Sequence, residues 1–497
     1  MEALSQSLEI LVTTPAIFAA CVGVAWGMLG GALPGISPSI TMALLLPFTY
    51  ALEPITAIVL LAATYVGAEY GGSIPAILIR TPGTNAAAAT VIDGYEMNRQ
   101  GKAGLALGIS LYSGVIGSLF GLAMLVLLSE PLARMALSFR PPSYFALGVL
   151  GLSVIATLSG GSLVKGLIAG ILGLMIATIG TDPVTGGTRF TFGSPYLLGG
   201  IDFILVMVGL FAVSELLAQA ARAGPAVTVK SKARIEFPGW RLARRLIPSQ
   251  MIGNVVGTFE GIMPGAGGTV ASFLAYNEAR RWSRHREEFG KGSPEGVAAP
   301  ETANNTVTGT AIIPLLAFGI PGSNSTAILL GGFLIHGIAV GPMIFVRSAD
   351  VVYGLYGGLF VASIAQLAIG MAIMAPCIWL VNRPRAYLNA FIYALIFSGV
   401  YSIHQSLFDL AIVLFAGVVG YLMRMLKFPF LPTVLGLVLG YMVESNYRRS
   451  LVLSRGDHMI FLEDPISLGL LSAAAIFIAG SLGKTFYDWA SSRSAPR

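Results

Sequence analysis

The chain has 497 residues, with 30 Lys or Arg and 24 Asp or Glu, so 11% are charged while 55% are apolar. Soluble domains carry roughly 25% charge, and a mean hydropathy of +0.78 argues against a cytosolic enzyme, a nucleic-acid-binding protein or a disordered chain. In a chain of this kind the net charge of +6 reads as Lys and Arg kept in cytoplasmic loops, with the lipid bilayer and not nucleic acid as partner.

Residues 1–12 contain Glu2 and Glu9 and no basic residue, which predicts that this segment is not a cleavable signal peptide. Residues 12–92 are apolar but repeatedly interrupted by Pro and Gly. Runs long enough to cross a bilayer, about 17–25 residues, follow near 103–129, 142–158, 163–181 and 197–220. A basic connection at 221–246 leads into a second broken region, 247–347. Further runs lie near 352–380, 387–403, 407–423, 430–444 and 466–483. The expectation is an all-α integral membrane protein of about 11 transmembrane spans plus re-entrant hairpins. It divides into a first repeat (1–220), a basic cytoplasmic loop (221–246) and a second repeat with a C-terminal extra span (247–497).

Orientation follows from the basic residues. Arg222, Lys230, Lys232, Arg234, Arg241, Arg244 and Arg245 face a single acid, Glu236, so their loop is expected in the cytoplasm. Counting outward places the N-terminus in the periplasm and the C-terminus, with Lys484, Arg493 and Arg497, in the cytoplasm. Arg134/Arg140 and Arg448/Arg449/Arg455 go against this count. Arg280, Arg281, Arg284, Arg286 and Lys291 form a second basic flank, which predicts that 247–279 enters and leaves on one side, turning at Pro264-Gly265.

The two broken regions repeat each other. Gly27–Gly35 (GMLGGALPG) matches Gly257–Gly265 (GTFEGIMPG) at an offset of 230, and Ile74–Ala88 matches Ile313–Ala327 at an offset of 239. The second pair shares a proline-glycine break followed by Thr or Ser and then Asn. Five crossings between the copies, near 54–68, 103–129, 142–158, 163–181 and 197–220, would invert the second relative to the first. Inverted repeats with interrupted segments at matching positions are the signature of a secondary transporter whose site lies where the breaks meet. Half-helix N-termini present N–H groups to an anion, while unwound carbonyls and hydroxyls hold a cation.

Thr84, Asn85, Ser323, Asn324, Ser325 and Thr326 follow the breaks and are the expected substrate contacts, although such residues also cap helices. Arg80, one turn earlier, either pairs with a carboxylate or extends to the membrane interface. Gly35, Ser37, Ser39, Gly265, Thr269, Ser272 and Asn304 are expected to line the path or hold a coupling ion. Thr41, the pair Glu69 and Glu260, and Asn305 are further polar candidates. Cys21, Cys377 and the four scattered histidines have no metal-binding spacing, so no metal site or cofactor is expected beyond Na⁺ as a coupling ion. An intramembrane enzyme would need a convergent nucleophile and base or a metal cluster, and the sequence shows neither.

The segments GALPGISPSITMALLLP, IPAILIRTPGTNAAAATVIDGY, GIMPGAGGT and FGIPGSNSTAILLGG resemble the large membrane (permease) subunit of the bacterial tripartite tricarboxylate transporters, over nearly the whole chain. The resemblance implies uptake of a small organic di- or tricarboxylate across the inner membrane, driven by Na⁺ or H⁺ through an elevator-type movement. It also implies two partners, a small membrane subunit and a periplasmic solute-binding protein. A stand-alone ion-coupled carboxylate symporter is the alternative.

Overall fold

A computed structural model describes residues 15–158, 162–182, 185–221, 234–265 and 267–494, with backbone only for 385–386 and 484–494. The segment carrying Glu2 and Glu9, the loop residues Arg222, Lys230 and Lys232, and Arg497 lie outside the described residues. The described chain is almost wholly helical, apart from one two-residue antiparallel pair, Gly180–Thr181 with Thr188–Arg189. Eight helices among the described residues are long and apolar enough to cross a membrane. Four shorter apolar helices accompany them: Ala16–Gly31, Pro38–Ala51, Leu163–Ala177 and Asn324–Ile335.

The helices fall into two compact units, each drawn from both halves of the sequence. The first comprises the described parts of Met1–Arg134 and Glu215–Ser406. Its first-copy helices are α1 (Ala16–Gly31), α2 (Pro38–Leu45), α3 (Pro54–Ile79), α4 (Thr90–Arg99) and α5 (Ala103–Ala136, to Arg134 in this unit). Its second-copy helices are α6 (Trp240–Ile262), α7 (Gly267–Trp282), α8 (Pro294–Thr310), α9 (Ile313–Phe318) and α10 (Asn324–Ile335), followed by α11 (Ala349–Ala372).

The matched sequence motifs are matched contacts. Gly23, Gly27 and Gly31 line one face of α1, where any Cβ would collide with the α3 backbone at Leu60, Thr64 and Ala68. Gly253 and Gly257 do the same on α6 against the α8 backbone at Ala299 and Ala303, and Gly261 lies against the Thr310 side chain and Ala311 just past α8. Small residues at every fourth position let two helix backbones approach closely. Both first breaks turn on a left-handed glycine, Gly35 (φ 91°) and Gly265 (φ 93°). At the second breaks, Gly83 packs against Gly31 and Gly72, and Gly322 packs against Gly261 and Ala311, which are the equivalent positions. Finally, α2 packs on α10, and α7 packs on residues 86–88, so the segment after each first break meets the one after the other copy's second break.

Two details differ from a plain reading of proline and glycine. α3 runs unbroken through Pro75 to Ile79, whereas the equivalent stretch of the second copy is divided into α8 and α9. α6 starts at Trp240, so Arg241, Arg244 and Arg245 belong to a helix and not to the 221–246 connection. Arg245 is fixed there by Glu295 (2.7 Å) and Glu288 (2.5 Å).

The second unit comprises Met135–Ser214 and the described part of Leu407–Arg497. Pro141–Leu158, Leu163–Ala177, Leu431–Leu453 and Pro465–Ser494 form its helix cluster, with Gly173 against Thr433 and Gly436 against Gly170 at its closest approach. Asp182, Arg189, Glu444 and Arg448 form an ion network, including Arg189–Glu444 and Arg448–Glu444 at 2.7 Å and Arg448–Asp182 at 3.0 Å. In the first unit, Arg134 pairs with Glu130 at 2.7 Å. Two of the arginines that go against the orientation count, Arg134 and Arg448, are therefore ion-paired.

Replacing Gly27 or Gly257 with Val should force α1 off α3, or α6 off α8, at a cost of at least about 1–3 kcal/mol. The expected readout is loss of the monodisperse peak in size-exclusion chromatography. Gly469→Val, at a position open to at least 4 Å, should keep that peak.

Candidate functional site

The centre of the first unit is a polar helix with no exposed face. All of α8 after Pro294, including Glu295, Glu301, Asn304, Asn305 and four threonines, is buried. Each buried polar group needs a partner, because an unmet donor or acceptor costs about 1–3 kcal/mol. Glu301 accepts hydrogen bonds from Ser73 (2.6 Å), Ser110 (2.8 Å) and Thr90, so α3, α4 and α5 all close on one carboxylate. One turn on, Asn305 Oδ1 accepts from Gln366 of α11 (3.2 Å). Thr306 donates to Asn254 of α6 (2.9 Å).

Asn304 points to the other side. Its Nδ2 donates to Glu69 of α3 at 3.0 Å, and both residues are buried. A Cβ on Gly268, in the first turn of α7, would collide with Asn304 Oδ1 and lie 3.4 Å from Ala86 Cβ. One turn before Glu69, Tyr65 Oη lies 3.5 Å from Ser323 Oγ. Ala86 and Gly268, each just past a break, thus meet at Asn304, and Ser323 meets Tyr65 one turn from Glu69.

The residues expected to contact substrate separate into two groups. Thr84 is buried, and its Oγ1 accepts from Ala87 N at 3.3 Å. Ser323 and Thr326 form a reciprocal cap on α10, with Thr326 N donating to Ser323 Oγ (3.2 Å) and Ser323 N to Thr326 Oγ1 (2.8 Å). Ser325 is buried beside them. Asn85 and Asn324, at equivalent positions in the two copies, are exposed at the first residue after their breaks. Arg80 is exposed, lies 5.8 Å from the Tyr95 ring centroid and ends α3 in the left-handed conformation (φ 58°), where the second copy has Gly319 (φ 74°).

Among the path candidates, Ser37 caps α2 and lies 2.8 Å from Ser39 Oγ. The buried Thr41 bonds back to the Ser37 carbonyl at 3.2 Å. Gly35 faces Glu215 and Gln219. Ser272 bonds back to Gly268 O at 2.7 Å, and Thr269 is exposed. Glu260 is half-buried on α6, in the place of Gly30. The structure does not bring Arg80 or Glu260 to Asn304 by any hydrogen bond or ion pair. Glu301 and Tyr65 were not singled out from sequence. The available signal for Glu301 was an acid inside the doubled, otherwise apolar region of a charge-poor chain.

Residues 17–435 match the tripartite tricarboxylate transporter TctA family. The chain belongs to that family. It is also 36% identical, over 96% of its length and 95% of the relative's, to an uncharacterised 52.8 kDa protein in the TAR-I ttuC' 3' region of Agrobacterium vitis. A second protein, from the TAR-II ttuC' 3' region of the same organism, is 31% identical over 45% of the chain and 92% of its own length. No solved structure matches the chain. As a TctA-family protein it is a multi-span membrane component of a tricarboxylate transporter.

Asn85→Ala and Asn324→Ala should each lower uptake about tenfold to a hundredfold, as expected for a lost hydrogen bond to a charged group worth about 1.5–3 kcal/mol. Their melting temperatures should not change. Ser323→Ala should instead lose about 1 kcal/mol of stability through its cap. Initial-rate uptake together with thermal unfolding of the purified variants checks both expectations, and full transport by both Asn variants would rule out the site.

Proposed function

We propose that this TctA-family chain carries a small di- or tricarboxylate inward across the bacterial inner membrane, driven by an ion gradient. The observation behind this reading is the convergence of the doubled breaks on a buried acid–amide pair in the first unit. In a membrane interior, irregular backbone is tolerated where protein or a water-filled path satisfies its polar groups. Pairs of such breaks at corresponding positions of two copies mark substrate and ion sites.

The chemistry fits a carboxylate. Asn85 and Asn324 offer amide donors just past each break, without the desolvation cost of a fixed charge. The start of α10 adds main-chain N–H groups and the positive end of its dipole. Arg80 holds a left-handed backbone that costs a non-glycine residue about 1–2 kcal/mol. Strain of that kind is retained where the side chain has work to do, and here its guanidinium would attract the anion to the first-copy break.

In this reading the two copies are inverted, the first unit moves as the elevator, and the chain works with a small membrane subunit. A periplasmic solute-binding protein delivers the substrate. The 1–220 and 247–497 repeats supply the two halves of the site, the basic 221–246 connection stays in the cytoplasm and the N-terminus is periplasmic. A stand-alone symporter would share the site but need no binding protein.

Proteoliposomes carrying the chain with its small subunit, under an imposed Na⁺ or pH gradient, distinguish these cases. Uptake of radiolabelled citrate or a related carboxylate should require both the gradient and the binding protein. Uptake without the binding protein would establish the stand-alone symporter, and gradient-independent flux would indicate a channel.

A further inference from the structure

Glu69 and Asn304 are incompletely satisfied by one another. Glu69 is 4% exposed, and Asn304 Nδ2 is its hydrogen-bond partner. No ion pair reaches Glu69 among the described residues. Asn304 is 1% exposed, and its Oδ1 is buried without any partner. With Nδ2 held by the carboxylate, Oδ1 is presented to the start of α7 at Gly268 and to Ala86. The amide therefore meets a carboxyl group at its nitrogen and has an unmet acceptor at its oxygen. Both call for a positive ligand.

We infer that Asn304 Oδ1 is a direct ligand of one sodium ion, seated beside Gly268 in the first turn of α7, with Glu69 as its counter-charge held in place through Nδ2. This inference rests on the reading of the chain as a gradient-driven carrier and names the ion that drives it. A proton on Glu69 would neutralise the carboxylate but leave Oδ1 as it is. A cation against Oδ1 meets both needs. One carboxylate among neutral oxygens balances a single charge, whereas divalent calcium asks for six to eight oxygens and usually several carboxylates. Carbonyls of an unwound segment are the usual additional ligands for Na⁺ in such carriers.

The position also explains coupling. Ala86 touches the same spot and directly follows Asn85, the exposed amide proposed to meet the substrate. An ion seated there orders the Asn85 segment and adds a positive charge beside the arriving carboxylate. Ion and anion then favour one another's binding, which is the reciprocal linkage a symporter needs.

The test is thermal unfolding of the purified full chain titrated with NaCl, with choline chloride holding the ionic strength constant and no carboxylate present. The wild-type melting temperature should rise saturably with Na⁺ and not with K⁺. In Glu69→Gln, which keeps an acceptor for Nδ2, the half-saturating Na⁺ concentration should rise about tenfold. In Asn304→Ala the response should vanish, and in the exposed control Glu287→Gln it should be unchanged. A wild type indifferent to Na⁺, or a full response in both Glu69→Gln and Asn304→Ala, overturns the inference. Because this readout needs neither substrate nor binding protein, failure of carboxylate uptake would count against the transport reading and leave the ion site standing.

Discussion

The first unit is arranged around a helix that buries its polar side chains along with its apolar face. α8 carries two glutamates, two asparagines and four threonines into the interior. Such a helix is stable only if other elements bring donors and acceptors to it, since burial of an unpaired polar group costs about 1–3 kcal/mol. Ser73, Thr90 and Ser110 meet Glu301, Gln366 meets Asn305, and Asn254 meets Thr306. The glycine stripe of α6 lets its backbone lie directly on α8 while these bonds form. Two α8 residues keep a buried atom without a partner, Thr302 at its Oγ1 and Asn304 at its Oδ1, and of these Asn304 has its other end on Glu69.

The contacts made by the two copies account for the spacing of the motifs. Gly31, Gly72 and Gly83 meet in the first copy as Gly261, Ala311 and Gly322 meet in the second. The change of offset from 230 to 239 reflects a longer segment between the first and second breaks of the second copy. That segment includes α7, which carries Arg280 and Arg281 in its last turn. The copies differ at polar positions: Tyr65 stands where the second copy has Asn304, and Arg80 where it has Gly319. A repeated frame with unlike polar residues sets Asn304 against Glu69 and Tyr65 beside Ser323.

Much of this architecture was legible in the sequence. The apolar runs, the breaks and their repetition rest on local signals: hydropathy over about 20 residues, and proline and glycine as helix punctuation. Pro75 does not end α3, because one lost backbone bond inside a long buried helix is tolerated, whereas the αL cap at Arg80, just before Pro82-Gly83, does. α8 is hard to read for a different reason. Its polar side chains lower its hydropathy, and the partners that bury Glu301 lie about 200 residues away in the chain. Caps and contacts likewise look alike in sequence. Ser323 and Thr326 use their hydroxyls on each other, while Asn85 and Asn324 stay exposed, and only the folded backbone tells the two roles apart.

The central claim is that the breaks of the two copies share one site for the carboxylate and its ion. A high-resolution cryo-EM map of the purified chain with saturating citrate and Na⁺ tests it most directly. The account predicts citrate density against Asn85 and Asn324, with a compact ion feature at Asn304 Oδ1. Citrate density instead in the cavity lined by Thr81, Arg383 and Asn389, with nothing at Asn304, would contradict it.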